Sequence, residues 1–93
     1  MPLKPISFPH HEIPDILAQL NQYGEVFTTR AMNEMGKYHE GDVVSFRGRT
    51  LEVESVQHYC RVEDHPFYSQ LTYGQKRLLA PHCFDVVQLV AST

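Results

Sequence analysis

The stretch "IPDILAQLNQYGEVFTTR", Ile13 to Arg30, decides how the rest of the chain is read. Ile13, Ile16, Leu17 and Leu20 follow the i, i+3, i+4, i+7 spacing of one face of an amphipathic helix. Pro14 is tolerated in a first turn, Asp15 suits the positive end of the helix dipole, and Gly24 is a natural stop. The period then drops to two. "EVFTTR" is rich in β-branched and aromatic residues and reads as a strand. Alternation puts Val26, Thr28 and Arg30 on one strand face, and Glu25, Phe27 and Thr29 on the other.

Working outward, residues 1–11 hold three prolines around "ISF", the pattern of an N-terminal arm or short edge strand. On the other side, "AMNEMGKYHEGD" reads as a loop closed by Gly41-Asp42, "VVSFR" as a strand, and Gly48 as a tight turn. In "TLEVESVQHYCRV" the apolar alternation changes phase after Val53, so a β-bulge is expected near Ser55-Val56. Asp64 and Pro66 offer one helix start. Thr72 offers a second, with Gln75 as its reciprocal capping partner, for a helix from Tyr73 to Leu79 that ends before Pro81. "CFDVVQLV" is the last strand. The expected order is β-α-β-β-β-α-β, an α+β fold of about five strands and two helices. Bends and short connections in so short a chain point to a small mixed β-barrel.

Composition bounds the function. A chain of 93 residues makes one domain, 1–93, and 42% hydrophobic with 20% charged residues is ordinary for a globular protein. No apolar run is long enough for a membrane span, so no membrane partner is expected. The start, "MPLKPISFPHHEIPD", carries one lysine and no apolar core of a signal peptide, and a cytoplasmic address is expected. Cys60 and Cys83 are then expected to be reduced rather than bridged. A net charge of -3 argues against strong sequence-independent binding to duplex nucleic acid. Arg30, Lys37, Arg47 and Arg49 are interleaved with Glu34, Glu40 and Asp42, so any nucleic-acid contact has to be local.

Taken together, the helix ending "ILAQL", the strand "VFTTR", a variable loop, "GDVVSF", "LEVESV" and "FYSQLT" resemble, in order and spacing, the ASCH domain of the PUA-like superfamily. The resemblance runs from about Ile13 to Val90 and implies a PUA-like barrel that binds RNA, a nucleotide or a modified nucleoside. Domains similar to the small bacterial acetylcytidine amidohydrolase use a lysine, a threonine and a glutamate. Thr28 matches that threonine, Glu25 stands where the lysine would be, and Glu63 is the nearest glutamate by order. The resemblance therefore implies binding before catalysis.

Several side chains carry candidate chemistry. Thr28 offers a rigid hydroxyl and Arg30 a planar fork of donors for a phosphate, carboxylate or base edge. The plain alternative ties Arg30 to a carboxylate such as Asp42 or Glu54. Lys37 and Tyr38 are expected at the mouth of the same cleft, where they can neutralise and stack on a nucleotide. His58 and Cys60 share a strand face, and His82-Cys83 precedes the last strand. Zinc-type spacing is missing, and neighbouring His82 and Cys83 point to opposite sides, so these residues are read as packing, with no metal or cofactor. At strand spacing His58 and Cys60 also stand too far apart for a hydrogen bond. Two alternatives accompany the binding reading: a small amidohydrolase using Thr28 with Glu25 or Glu63, and an interaction module in which the N-terminal arm pairs with another chain.

Overall fold

The structure is a computed structural model that describes residues 3–92. Its elements follow the expected order: β1 (Lys4–Pro5), α1 (Ile13–Tyr23), β2 (Glu25–Ala31), β3 (Val43–Phe46), β4 (Arg49–Tyr59), α2 (Tyr73–Leu79) and β5 (Phe84–Ala91). Helix α1 buries Ile16 and Leu20 and ends at Gly24, whose φ of 71° lies in the left-handed region that glycine adopts freely. Helix α2 carries the reciprocal Thr72–Gln75 capping box. Its expected partner start at Asp64 and Pro66 gives only two 3-10 turns, Val62–Asp64 and Tyr68–Gln70. Among the described residues, no helix is long and apolar enough to cross a membrane.

The strands form one mixed five-stranded sheet in the order β1-β3-β4-β5-β2, open between β1 and β2. β1 runs parallel to β3, and the other pairs are antiparallel. The N-terminal arm is therefore paired with its own sheet. Ile6 donates to the Ser45 carbonyl at 3.0 Å, Lys4 pairs with Asp42 at 3.2 Å, and Ile6 and Phe8 are buried. Between β3 and β4, Arg47 and Gly48 both have positive φ (49° and 80°), the combination that matches a tight hairpin to strand twist.

The phase change in β4 is a real bulge. Val53 pairs with Leu89, but Ser55 pairs with Gln88, so the extra residue is Glu54. The slip keeps apolar residues on one face: Leu51 and Val53 before it and Val56 after it pack with Val26, Val44, Val87 and Leu89 under α1 and the arm. The other sheet face holds a smaller cluster of Val62, Leu79, Phe84 and Val86 beneath the segment from Val62 to Leu79. Both faces of the sheet are thus covered, and the edge strand β2 lies at the seam between the two coverings.

Candidate functional site

A cleft of about 960 Å³ follows that seam. Helix α1 and the turn before it contribute Glu12, Asp15 and Gln19. β2 contributes its length from Phe27 to Ala31 together with Glu25, and the far wall contains His65, Phe67 and Leu78. The floor is an unpaired strand edge. Ala91 donates to the Gly24 carbonyl at 2.8 Å, so in the β2–β5 ladder the even-numbered β2 residues exchange hydrogen bonds with β5. The peptide groups of Glu25, Phe27, Thr29 and Ala31 therefore point away from β5, along the free edge.

Side chains alternate around this edge. Thr28 is half-buried, and its hydroxyl has no hydrogen-bond partner among the described residues. Phe27 is 38% exposed and packs edge-on against Phe67 with ring centroids 5.0 Å apart. Glu25 accepts from Gln88 Nε2 at 2.9 Å, and Gln88 in turn accepts from Ser55 at the bulge, at 3.1 Å. This relay orients the Glu25 carboxylate. Buried His65 accepts from the Phe67 amide at Nδ1 (3.0 Å), which leaves Nε2 to carry the proton and donate to Thr29 Oγ1 at 2.8 Å. Burial pushes the His65 pKa below the ordinary histidine value. The Nδ1 contact describes a neutral imidazole, and burial favours that form.

Arg30 differs from expectation. It lines the cleft, but its side chain is only 8% exposed and is held in place. One terminal nitrogen donates to the Ser7 carbonyl at 2.9 Å, the other meets Glu34 at 3.4 Å, and the guanidinium stacks between the rings of Phe8 and Tyr38, 4.9 and 5.5 Å from their centroids. Its buried Nε has no acceptor among the described residues. The partner carboxylate is Glu34, four residues on, and not Asp42 or Glu54. Asp42 is engaged by Lys4 and by the His39 amide, which hold its carboxyl below the usual carboxylate range, the amide foremost.

Tyr38 and Lys37 do not flank the mouth. Tyr38 is 3% exposed in the main core, because the loop folds back under the arm to cover Arg30. Lys37 stays in solvent and pairs with Glu34 at 2.9 Å, an exchange that lowers the Glu34 pKa and raises that of the lysine. Glu63 is exposed beside Arg61 at 3.7 Å and lies outside the cleft lining. Of the residues anticipated for the site, the fold gathers Thr28, Glu25 and Arg30, and leaves Lys37, Tyr38 and Glu63 elsewhere. Phe27 joins them from the same strand, and Phe67 and His65 from a separate segment that strand alternation does not reveal. Comparison with protein-family models, curated proteins and solved structures gives no match for this chain.

The other group weighed from sequence is also rearranged. Cys60 and Cys83 form a disulfide, contrary to the expectation of free thiols. Cys60 Sγ lies 3.5 Å from His58 Nε2, because Cys60 falls in a bend just past the end of β4 and is not held at strand spacing. His82 takes no part in this cluster.

Proposed function

We propose that the cleft along β2 binds an uncharged nucleobase or modified nucleoside, in a domain of the ASCH type with a PUA-like arrangement of strands. The observation that carries this reading is the free Thr28 hydroxyl on an unpaired strand edge, beside a partly exposed aromatic pair, Phe27 and Phe67. An edge of alternating N–H and C=O groups suits the donor and acceptor pattern of a base, and an exposed ring offers it a stacking surface. The volume lies within the range of small-molecule sites.

Charge narrows the ligand class. Glu12, Asp15, Glu25 and Glu34 line the cleft, while the charge of its one arginine is already shared with Glu34 and the Ser7 carbonyl. Such a lining opposes a phosphate, so a nucleoside is favoured over a nucleotide or a phosphate-led grip on RNA. The same composition favours binding over amide hydrolysis: Thr28 and Glu25 share the cleft, but no lysine lines it and Glu63 is remote.

Titration of labelled protein with cytidine, N4-acetylcytidine and their 5′-monophosphates tests the reading by amide chemical shifts. The expected result is a set of shifts at Phe27, Thr28 and Phe67, with the nucleoside binding at least as tightly as its monophosphate, and about tenfold weaker binding for Thr28→Val. No shift at these residues with any nucleoside overturns the site. A monophosphate that binds much more tightly overturns the electrostatic argument.

A further inference from the structure

We propose a second site, across β5 from the cleft: in the reduced protein, His58, Cys60 and Cys83 bind one thiophilic divalent cation of the Zn²⁺ class. The site is a product of strand register. After the bulge, His58 lies directly across from Asp85 and Tyr59 across from Phe84. The same register carried one position further sets Cys60 opposite Cys83. Cys60 and Cys83 lie just beyond the paired residues, with Cα atoms 3.9 Å apart, so the two cysteines sit beside the His58–Asp85 pair at this end of β4 and β5.

This group has the parts of a metal site. Asp85 is 4% exposed, and its carboxylate accepts from His58 Nδ1 at 2.8 Å and from the Gly36 amide at 2.7 Å. This fixes the imidazole orientation and leaves Nε2 turned toward the sulfurs, the carboxylate–histidine arrangement that supports metal-ligating histidines. The ligand atoms of His58, Cys60 and Cys83 all lie within 4.8 Å of one another. In a tetrahedral zinc centre, bonds of about 2.3 Å to sulfur and about 2.0–2.1 Å to nitrogen place S and N roughly 3.6 Å apart and two sulfurs roughly 3.8 Å apart. Cys60 Sγ and His58 Nε2 already stand at 3.5 Å. Once their bond is cut, side-chain rotation lets the two sulfurs separate and brings Cys83 Sγ, already within 4.8 Å of His58 Nε2, into ligand range. His58 and Cys60 are exposed and Cys83 half-buried, so a cation reaches the site from solvent and a fourth position stays open to water.

Loading requires a reductant. A dithiol or a phosphine gives two electrons to the disulfide, which takes up two protons to become two thiols; the reductant leaves as its disulfide or as the phosphine oxide, with oxygen from water. The cation then displaces both thiol protons and coordinates two thiolates and neutral His58 Nε2.

The test uses the full chain reduced with a phosphine, its two thiols verified by colorimetric titration, then titrated with Co²⁺ in the absence of oxygen. One equivalent is expected to produce thiolate-to-cobalt charge transfer with intense tetrahedral ligand-field bands, both bleached by Zn²⁺. The oxidised protein is expected to give neither. His58→Ala, at an exposed position, is expected to weaken binding at least tenfold while keeping the far-ultraviolet circular dichroism of the parent. Asp85→Asn, which acts by positioning His58, is expected to weaken it by about tenfold and to retain the thiolate band. Absence of that band in the reduced protein, identical affinity for His58→Ala, or a disulfide that stays closed against excess phosphine each overturns the proposal.

Discussion

Asp85 sits on β5 between two basic side chains, Arg30 on β2 and His58 on β4, each its direct cross-strand neighbour. The two have opposite fates. His58 takes the Asp85 carboxylate, remains exposed and turns Nε2 to Cys60 Sγ at 3.5 Å. Arg30 turns away from Asp85, to the Ser7 carbonyl, Glu34 and the rings of Phe8 and Tyr38, and is buried. Cross-strand register sets which charges can meet, but competing partners decide which do. The arginine, which sequence marks as the ligand's anchor, is consumed in fastening the N-terminal arm. The histidine, which sequence marks as packing, is left available for chemistry.

The comparison is sharpened most by stability measurements on its two members. Arg30→Ala removes a charge-assisted hydrogen bond and two ring stacks, and leaves the Ser7 carbonyl without its donor. It is expected to cost roughly 2–4 kcal/mol in urea unfolding. His58→Ala is expected to cost no more than about 1 kcal/mol, since Asp85 keeps the Gly36 amide. Equal losses for the two variants break the distinction between a structural arginine and an exposed histidine.

A smaller effect comes from a third basic side chain, His65. Its folded pKa lies below its ordinary value of 6.5, so between the two values the unfolded chain binds more protons. Its contribution is therefore fully present above about pH 6.5, declines as pH falls below that value, and levels off below the lowered folded pKa. Denaturant midpoints measured from pH 7.5 to 5.0 are expected to fall for the parent and to fall less for His65→Gln. Parallel curves for the two proteins remove the neutral imidazole from the account. The smallest effect is assigned to Lys37, whose partner Glu34 is shared with Arg30 at the protein surface. Lys37→Ala is expected to leave both the denaturant midpoint and any nucleoside affinity unchanged within error. A marked loss of affinity returns the lysine to the mouth of the cleft.

Much of the fold was legible because local signals agreed with one another. The spacing from Ile13 to Leu20, the stop at Gly24 and the capping pair Thr72 and Gln75 set both helices to the residue, and the change of phase in β4 announced its bulge. Near Asp64 and Pro66 the chain is helical only in two 3-10 turns, because the run there is too short to propagate an α-helix. The cleft was half legible. Thr28 and Glu25 follow from alternation along one strand, while Phe67 and His65 reach the site through the packing of a separate segment. Tyr38 reads as a residue of the cleft mouth because loops carry binding side chains; its burial follows from the arm, whose docking on β3 no local pattern encodes.

The cysteines show where the boundary lies. The sequence by itself determined that β4 slips by one residue, since only a slip keeps Val53 and Val56 on the same apolar face. What the slip does to the next strand is decided by pairing. In the register before the bulge, Cys60 would stand opposite His82; in the register after it, Cys60 stands opposite Cys83 and His58 opposite Asp85. Hydrophobic burial is written residue by residue along a strand. Which side chains meet across two strands depends on their relative offset, and only the folded sheet sets that offset.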